Sequence, residues 1–236
     1  MEFIIHRFDS IASTNDLALR MAKEGAPEGT VVIAGEQTAG KGRHGRNWSS
    51  PAGTGLYLSV ILRPSLLQEQ LWQTAFVAAV AAAEAIAETS GLPVQVKWPN
   101  DVLVNERKVC GILIEETRGL LIVGIGINVN TLEFPSEIAE KATSIALELG
   151  HPVEGNLVEE ALLSALGRRY EQYLTEGFGP IFQAWGALDC TVGSRVFTET
   201  IEGTALGMSS DGNLLVEAAD GVARLVTAGD VIIVDA

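Results

Sequence analysis

Four apolar, β-branched segments follow one another between residues 94 and 129, and they restrict what the chain can fold into more than any other feature. The segments are 94–97, 102–104, 109–115 and 120–129. Polar turns at 105–108 and 117–119 separate the last three segments. Because strands bounded by turn residues need neighbouring strands to satisfy their backbone hydrogen bonds, this stretch predicts part of a β-sheet.

Helices and further strands surround this run in the first 187 residues. Strand patterns occur at 3–8, 30–34 and 56–62, and helical patterns at 16–23, 68–89, 144–149, 157–174 and 180–185. Ser13 or Thr14 can cap the first helix, and Gly91 with Pro93 ends the second. The arrangement predicts an α+β domain in which a mixed sheet carries its helices on one side.

The sequence pattern changes near residue 188. From there short β-like segments alternate with Gly and Asp turns, at 195–198, 202–206, 214–216, 223–226 and 231–234. Short strands at such close spacing are typical of a small β-barrel. We therefore expect two domains, 1–187 and 188–236.

The overall charge restricts the partners. Thirty acidic side chains against 16 basic ones give a formal net charge of −14. Binding to nucleic acid or to an anionic membrane needs a basic face that neutralises phosphates, so this composition opposes both. A small basic pocket is compatible with it, because a few clustered cations can attract an anionic ligand to an otherwise acidic protein.

Expectations about location come from the first residues, the apolar segments and the cysteines. Residues 1–7 lack the charged segment and long apolar run of a signal peptide. The longest apolar stretch, 75–87, is rich in Ala, contains Glu84 and is short for a membrane span. Cys110 and Cys190 lie far apart without metal-ligand spacing, which predicts free thiols in a reducing compartment. We expect a soluble, cytoplasmic protein.

A glycine-rich loop between residues 35 and 53 fits three phosphate-binding patterns incompletely. Residues 35–41 match G-x-x-x-x-G-K, but Gly42 stands where a P-loop needs Ser or Thr. Gly40, Gly42 and Gly45 match G-x-G-x-x-G, but neither the helix nor the later acidic residue of a dinucleotide fold follows. A kinase loop would require H-R-D and D-F-G motifs, which the sequence lacks.

The same loop concentrates positive charge. Lys41, Arg43 and Arg46 lie close together, and the glycines around them let the backbone approach a ligand and offer N–H donors. Three cations of this kind suit a phosphate or an acyl-phosphate. The alternative interpretation is an exposed, mobile polar loop without a ligand.

Five ordered segments resemble the motifs of the biotin protein ligases. They are 9–15 (D-S-x-x-S-T-N), 40–48 (G-K-G-R-H-G-R-x-W), 97–101 (K-W-P-N-D), 108–115 (K-V-C-G-I-L-I-E) and 124–130 (G-I-G-I-N-V-N). Each motif alone is weakly specific, but five in order are highly specific together. Lys41 stands where the family most often has Arg, which keeps the charge but loses the planar fork. After residue 150 only the general layout is similar.

The resemblance implies the fold and a two-step reaction. The fold would be the class II synthetase-like biotin ligase fold followed by an SH3-like β-barrel. Biotin and ATP, with Mg²⁺ accompanying ATP, would be the substrates of the first step, which gives biotinyl-5′-AMP and pyrophosphate. In the second step a lysine of a biotin carboxyl carrier protein domain would attack the mixed anhydride. Because the first motif begins at Asp9, the resemblance implies the short form of the family without an N-terminal DNA-binding domain. Edge-to-edge pairing into a homodimer would also be open to these strands.

Site residues are carried over motif by motif. The catalytic candidates are Lys97, Arg43 and Asp101. For biotin the resemblance implies Ser13, Thr14, Asn15, Gln37, Lys41, Gly42, Arg43, Lys97 and Gly111. For ATP and the adenylate it implies Lys41, Arg43, Arg46, Trp48, Lys97 and Asn128. No resident metal ligand is assigned, because His6, His44 and His151 are scattered.

Several roles have a structural alternative. Lys97 would bridge the biotin carboxylate and the α-phosphate, or it is a surface lysine at a strand end. Asp101 would orient Lys97, hold magnesium or help to deprotonate the incoming lysine, or it is a turn residue. Ser13 and Thr14 can bind the ureido ring of biotin or cap a helix, and both roles are compatible. Trp48 would stack on adenine or pack in the core.

Three other functions are possible alternatives to this one. A lipoate or octanoate ligase shares the catalytic fold, but its Arg pair followed by Ser-Gly-Gly-Gly is missing, and residues 97–101 favour biotin. A DNA-binding regulator is opposed by the net charge. A homologue that only binds nucleotide is opposed by the presence of Lys97, Arg43, Gln37 and Asn128 together.

Overall fold

A seven-stranded mixed sheet organises the first part of the chain in the computed structural model, which describes residues 1–198 and 200–234. Its strands are β1 (Ile4–Ile11), β2 (Thr30–Gln37), β3 (Gly55–Leu62), β4 (Val94–Lys97), β5 (Asp101–Val104), β6 (Arg107–Thr117) and β7 (Leu120–Asn128). Their order is β1-β2-β3-β7-β6-β5-β4. Strands β1 and β2 pair in parallel and the other neighbours antiparallel, so the mixed sheet predicted from the sequence is confirmed.

Tight hairpins join β5 to β6 and β6 to β7. The central residues of the first turn, Asn105 and Glu106, have φ values of 48° and 64°, and those of the second, Arg118 and Gly119, have 54° and 79°. Two consecutive left-handed residues match the right-handed twist of the flanking strands. The turns therefore hold β5, β6 and β7 in one fixed register.

The helices are α1 (Thr14–Lys23), α2 (Thr74–Ser90), α3 (Ile145–Leu149), α4 (Gly155–Glu176) and α5 (Phe178–Gly186). Helix α2 continues from a 3-10 segment at Gln68–Gln73, and its Ala side chains are almost all buried against the sheet, α4 and α5. Together, Gln68–Ser90 is long and apolar enough to cross a membrane by length and composition, contrary to the expectation from 75–87, but 78% of the relevant window is buried inside the fold. This is the burial expected of a core helix.

Helix α1 lies on the other face of the sheet. Its Ala18 and Ala22 pack with Val32, Ile61 and Ile122, whereas the neighbouring strand residues of opposite parity face α2 and α4. The prediction of helices on one side only is therefore wrong for α1. The face that α1 covers in part is the one that carries the predicted site residues.

The C-terminal strands form a second, antiparallel sheet. They are β8 (Arg195–Phe197), β9 (Glu202–Met208), β10 (Leu214–Ala218), β11 (Ala223–Val226) and β12 (Ile232–Ile233), in the order β11-β10-β9-β8-β12. Val196, Leu214 and Val216 belong to the same apolar core as the first sheet. Trp98, fully buried, donates from Nε1 to Gly212 O at 2.9 Å, so the second sheet is attached directly behind residues 97–101. A domain boundary at residue 188 remains a prediction.

Candidate active site

One row of paired residues crosses the middle of the first sheet on the α1 face. Lys97 is paired with Asp101, Asp101 with Gly111, Gly111 with Gly126 and Gly126 with Tyr57. Directly opposed residues of neighbouring strands point to the same face of a sheet. The row therefore begins with a charged pair at the β4 edge and continues over two residues that have no side chain.

The glycines make room for side chains that lie over the sheet. A Cβ atom on Gly126 would lie 2.4 Å from Trp48 Nε1, and one on Gly111 would lie 2.9 Å from Trp48 Cζ3. A Cβ atom on Gly124 would lie 2.2 Å from Asn15 Oδ1. Real Cβ contacts are not this short, so any side chain at these positions would displace Trp48 or Asn15.

Two lysines flank one carboxylate at the charged end of the row. Lys97 Nζ lies 3.5 Å from Asp101 Oδ2, and Lys108 Nζ lies 2.6 Å from Asp101 Oδ1. Burial alone would raise the pKa of Asp101, but the attraction of Lys108 and Lys97 outweighs it, and the pKa is lowered. Asp101 is therefore an ionised group that holds two ammonium groups beside the glycines.

Lys108 is a member of this cluster that the sequence interpretation did not assign. Strict alternation along β6 would place Lys108 on the same face as Cys110, which is buried in the core against α2. The register of β5 and β6 shifts between Val102 and Leu103, so that Leu103 is paired with Lys108 and Val102 with Cys110. This bulge turns Lys108 to the α1 face, where its Nζ also lies 5.3 Å from the centre of the Trp48 ring.

A buried polar network joins the start of α1 to the strands beneath it. The backbone N–H and the hydroxyl of Thr14 both donate to Gln37 Oε1, at 2.8 and 3.0 Å. Ser59 donates to Thr14 Oγ1 at 2.8 Å and lies 2.5 Å from Asn15 Oδ1, while Asn15 Nδ2 donates to Glu115 at 2.8 Å. Thr14, Asn15 and Gln37 are thus brought together as predicted, and Ser59 and Glu115 are further members.

Ser13 caps the start of helix α1, which is one of the two roles predicted for it. It is 3% exposed, precedes α1 with an extended backbone, and accepts from the backbone N–H of Asp16 at 3.4 Å. A Ser side chain at this position satisfies one of the N–H groups that a helix leaves unpaired at its start. Ser13 also lies next to the Thr14 network, so capping does not remove it from the site.

The glycine-rich loop folds back on itself over the sheet. The backbone N–H of Trp48 donates to Gly40 O at 2.9 Å, and the backbone N–H of Gly42 donates to Arg46 O at 2.7 Å. At the tip His44 and Gly45 have φ values of 54° and 72°, which Gly adopts without strain. The predicted loop begins after Gln37, where β2 ends, and its described residues include a 3-10 turn at Arg43–Gly45.

The three cations of the loop go to two different places. Lys41 contacts Asp16 of α1 and lies 3.9 Å from Glu115, and the hydrogen bond to Asp16 raises the pKa of Lys41. Arg43 donates to Asn100 Oδ1 at 2.9 Å, next to the Lys97 cluster, and Arg46 forms an ion pair with Asp230, in the loop that follows residue 226. The prediction of a single phosphate-binding cluster therefore does not describe this arrangement of the loop.

Trp48 and Asn128 are the predicted adenine contacts. Asn128 ends β7, and Trp48 of the glycine-rich loop packs over Gly126 of the same strand. The indole Nε1 of Trp48 is buried without a hydrogen-bond partner among the residues that the structure describes. Asn128 is 4% exposed and donates from Nδ2 to Thr143 O at 3.0 Å, which leaves its Oδ1 without a hydrogen bond in the part of the chain described. Both side chains thus have hydrogen-bonding atoms that a ligand could use.

Neither cysteine is part of this site as a nucleophile. Both thiols are free, and Cys110 is fully buried on the opposite, helix-packed face, where burial raises its pKa. Cys190 donates to Val96 O at 3.3 Å, and burial raises its pKa to about 11. Raised pKa values keep both thiols protonated near neutral pH and therefore unreactive.

The sequence of this chain is similar to that of known protein ligases. Residues 7–131 match the model of the biotin/lipoate A/B protein ligase family, and residues 195–234 match the biotin protein ligase C terminal domain. The bifunctional ligase/repressor BirA of Bacillus subtilis is 38% identical over 231 residues, which are 93% of this chain and 71% of the relative. The biotin–[acetyl-CoA-carboxylase] ligase of Mycobacterium tuberculosis is 35% identical over 93% of this chain and 85% of its own.

A solved structure agrees over nearly the whole chain. The biotin protein ligase from Aquifex aeolicus in complex with biotin and ATP superposes with a TM-score of 0.87 and 30% identity. The match covers 98% of this chain and 99% of that one. Both sheets are therefore arranged as in that enzyme.

Proposed function

We propose that this chain, which belongs to the biotin/lipoate A/B protein ligase family, activates biotin with ATP and then transfers the biotinyl group to a lysine of a carboxylase carrier protein. One observation carries the proposal. Lys97 and Lys108 flank Asp101 at the end of a glycine row, and Arg43 reaches the same short segment through Asn100. Cations held beside an open strip of sheet suit the meeting of a carboxylate with phosphates.

The first step joins two anions. An oxygen of the biotin carboxylate attacks the α-phosphorus of ATP, the bond from that phosphorus to the β-phosphate oxygen breaks, and pyrophosphate leaves with the electron pair. Lys97 and Arg43 screen the repulsion during approach and stabilise the charge on the pentavalent transition state. Mg²⁺ enters with ATP as part of the substrate. Among the described residues, no group of three His, Cys, Asp or Glu is arranged to hold a metal ion.

In the second step the carrier lysine attacks the biotinyl carbonyl carbon. The bond from that carbon to the AMP oxygen breaks, AMP leaves, and the amine loses a proton. Of the three roles open to Asp101, the ion pairs to Lys97 and Lys108 support the orienting one. A carboxylate whose pKa is lowered is a weak base, which makes proton abstraction its least suitable role.

The polar network at α1 suits the ureido ring of biotin. That ring presents one carbonyl and two N–H groups, and Thr14, Asn15 and Gln37 offer donors and acceptors in a largely buried setting. We assign Lys41, Gly42 and Gly111 to the biotin side as well; Gly111 lies in the glycine row, and Lys41 lies 3.9 Å from Glu115 of the polar network. Adenine is assigned to Trp48 and Asn128, whose Nε1 and Oδ1 atoms can pair with a ligand.

The partner and the setting follow from the same assignment. We propose the biotinyl-accepting domain of a biotin-dependent carboxylase as the protein substrate, without nucleic acid as a partner and with a cytoplasmic location. The net charge of −14 opposes binding to nucleic acid. Strand β1 has a free edge in the described sheet, which makes a homodimer formed edge to edge compatible with the fold.

Parallel assays with two acyl substrates test the proposal. The purified chain is incubated with ATP, Mg²⁺ and either labelled biotin or labelled octanoate, each with its own carrier domain. We expect label on the biotin carrier and none above background on the lipoyl carrier. Preferential transfer of octanoate would contradict the assignment to biotin.

A further inference from the structure

A loop of the C-terminal sheet touches the glycine-rich loop of the first sheet. Gly229 O accepts from Arg43 Nη2 at 3.2 Å. The carboxylate of Asp230 is shared between two arginines, with Oδ1 at 3.7 Å from Arg43 Nη1 and Oδ2 at 2.7 Å from Arg46 Nη2. Both residues lie between β11 and β12, far from the loop in sequence.

We propose that Asp230 is a positioning residue for the adenylation step and that the C-terminal sheet acts on the reaction through it. Asp230 does not touch the reacting atoms. It holds the guanidinium groups of Arg43 and Arg46 in the place where the phosphates of ATP are received. The inference rests on the proposed function, because it assigns these arginines to ATP.

Asp230 offsets an electrostatic repulsion between the two arginines. Arg43 and Arg46 are three residues apart on a tight turn, so their like charges repel each other. A carboxylate that contacts one guanidinium with each oxygen offsets this repulsion and fixes the distance between the two groups. Without this carboxylate, both arginine side chains and the turn that carries them would be more mobile, so ordering them when ATP binds would cost more conformational entropy.

Arg43 occupies a junction in the fold. Its guanidinium donates to Asn100 on one side and to Gly229 on the other. Asn100 belongs to the segment that supplies Lys97 and Asp101. Arg43 therefore lies where the first sheet, the glycine-rich loop and the C-terminal sheet meet, and its side chain is 20% exposed.

An ordinary surface ion pair on the same sheet provides the comparison. Asp220 contacts Arg224 Nη2 at 2.6 Å, four residues along the chain, and both side chains are largely exposed. That pair links one hairpin to itself and touches nothing of the site. Asp230 instead connects two parts of the chain, since the neighbouring contact from Arg43 to Gly229 spans 186 positions.

The test compares Asp230→Asn, Asp230→Glu and the matched control Asp220→Asn in the full-length chain. Biotin-dependent exchange of pyrophosphate with ATP gives KM for ATP and kcat. For Asp230→Asn we expect KM for ATP to rise by about three- to tenfold, the change that corresponds to loss of one or two partly exposed ion pairs. Salt screens such pairs, so the difference in KM between the variant and the unaltered chain should shrink at high salt. Asp230→Glu restores most of the affinity, and Asp220→Asn leaves KM unchanged. Cleavage of the glycine-rich loop by protease in the absence of ligands should be faster in Asp230→Asn alone.

Two results would overturn the inference. One is an unchanged KM and cleavage rate in Asp230→Asn; the other is a lower KM for ATP, which would mean that the carboxylate competes with phosphate. A melting temperature close to that of the unaltered chain ensures that folding does not explain a change in KM. Absence of exchange in the unaltered chain would instead refute the proposed function, while the cleavage comparison would still test the contact of Asp230 with the loop.

Discussion

Lys108 Nζ lies closer to Asp101 than Lys97 Nζ does, at 2.6 Å against 3.5 Å, although Lys97 belongs to the same five-residue motif as Asp101. The carboxylate is therefore shared, and each lysine limits how strongly the other is held. Because Asp101 is also paired with Lys108, it holds Lys97 less tightly, and Lys97 can turn towards an anionic substrate.

Replacing Lys108 tests the shared carboxylate. In Lys108→Met the stem is kept and the charge is lost, so Asp101 should draw Lys97 away from the substrate. We expect kcat/KM for exchange to fall at least about tenfold, the change that corresponds to the loss of one charge contact. Lys23→Met, an exposed lysine at the end of α1, is the control. Equal rates in the two variants would show that Lys97 alone suffices.

The lowered pKa of Asp101 predicts how stability depends on pH. The folded-state pKa lies below the unfolded value, so the contribution of Asp101 is complete above the unfolded pKa and is lost as pH falls through the folded one. The melting-temperature difference between the unaltered chain and Asp101→Asn should be constant from neutral pH to about pH 5 and decrease below about pH 4. A difference that is lost between pH 6 and 8 would disagree with an ionised, lysine-paired carboxylate.

Gly126→Ala tests the close contact of Trp48 with the sheet. The added Cβ would lie 2.4 Å from Trp48 Nε1, so the indole must move, at a cost of about 1–3 kcal/mol in unfolding free energy. We expect weaker ATP binding by calorimetry and a lower melting temperature. Gly207→Ala, on β9 with nothing within 4 Å of its Cβ position, should change neither quantity.

Protease digestion tests whether the glycine-rich loop closes over the reactants. The adenylate is labile in water, so a loop between residues 38 and 53 that orders over it would protect it. Cleavage in this loop should slow when biotin and ATP are both added. Equal cleavage with and without the ligands would leave the loop without a lid function.

The strands, the helices and the mixed sheet could be predicted from periodicity and turn residues. The face occupied by α1 could not, since an amphipathic pattern shows which side of a helix is buried but not against which side of a sheet. Lys108 was not assigned because the sequence pattern places it in the polar turn at 105–108, and the bulge between β5 and β6 that turns it to the α1 face has no local sequence signal. Ser59 offered a visible signal, as the one Ser or Thr within the apolar strand 56–62.

The site was predicted best where it is local in sequence. Lys97 and Asp101 come from one motif, and the structure pairs them at 3.5 Å; Thr14 and Asn15 come from another, and both contact Ser59. The separation of Lys41 from Arg43 and the contact of Arg46 with Asp230 were not predictable, because partners distant in the chain leave no local pattern. Such contacts depend on how the two sheets pack.

Biotin-dependent exchange of labelled pyrophosphate into ATP, with Lys97→Ala beside the unaltered chain and Lys23→Ala, tests the central claim most directly. The unaltered chain and Lys23→Ala should exchange label when biotin is present and not when it is absent. Lys97→Ala should lower the biotin-dependent rate by about a hundredfold or more, as for loss of one charge-stabilising group at a transition state. Exchange without biotin would contradict the proposed reaction, and near-normal exchange in Lys97→Ala would remove Lys97 from the mechanism.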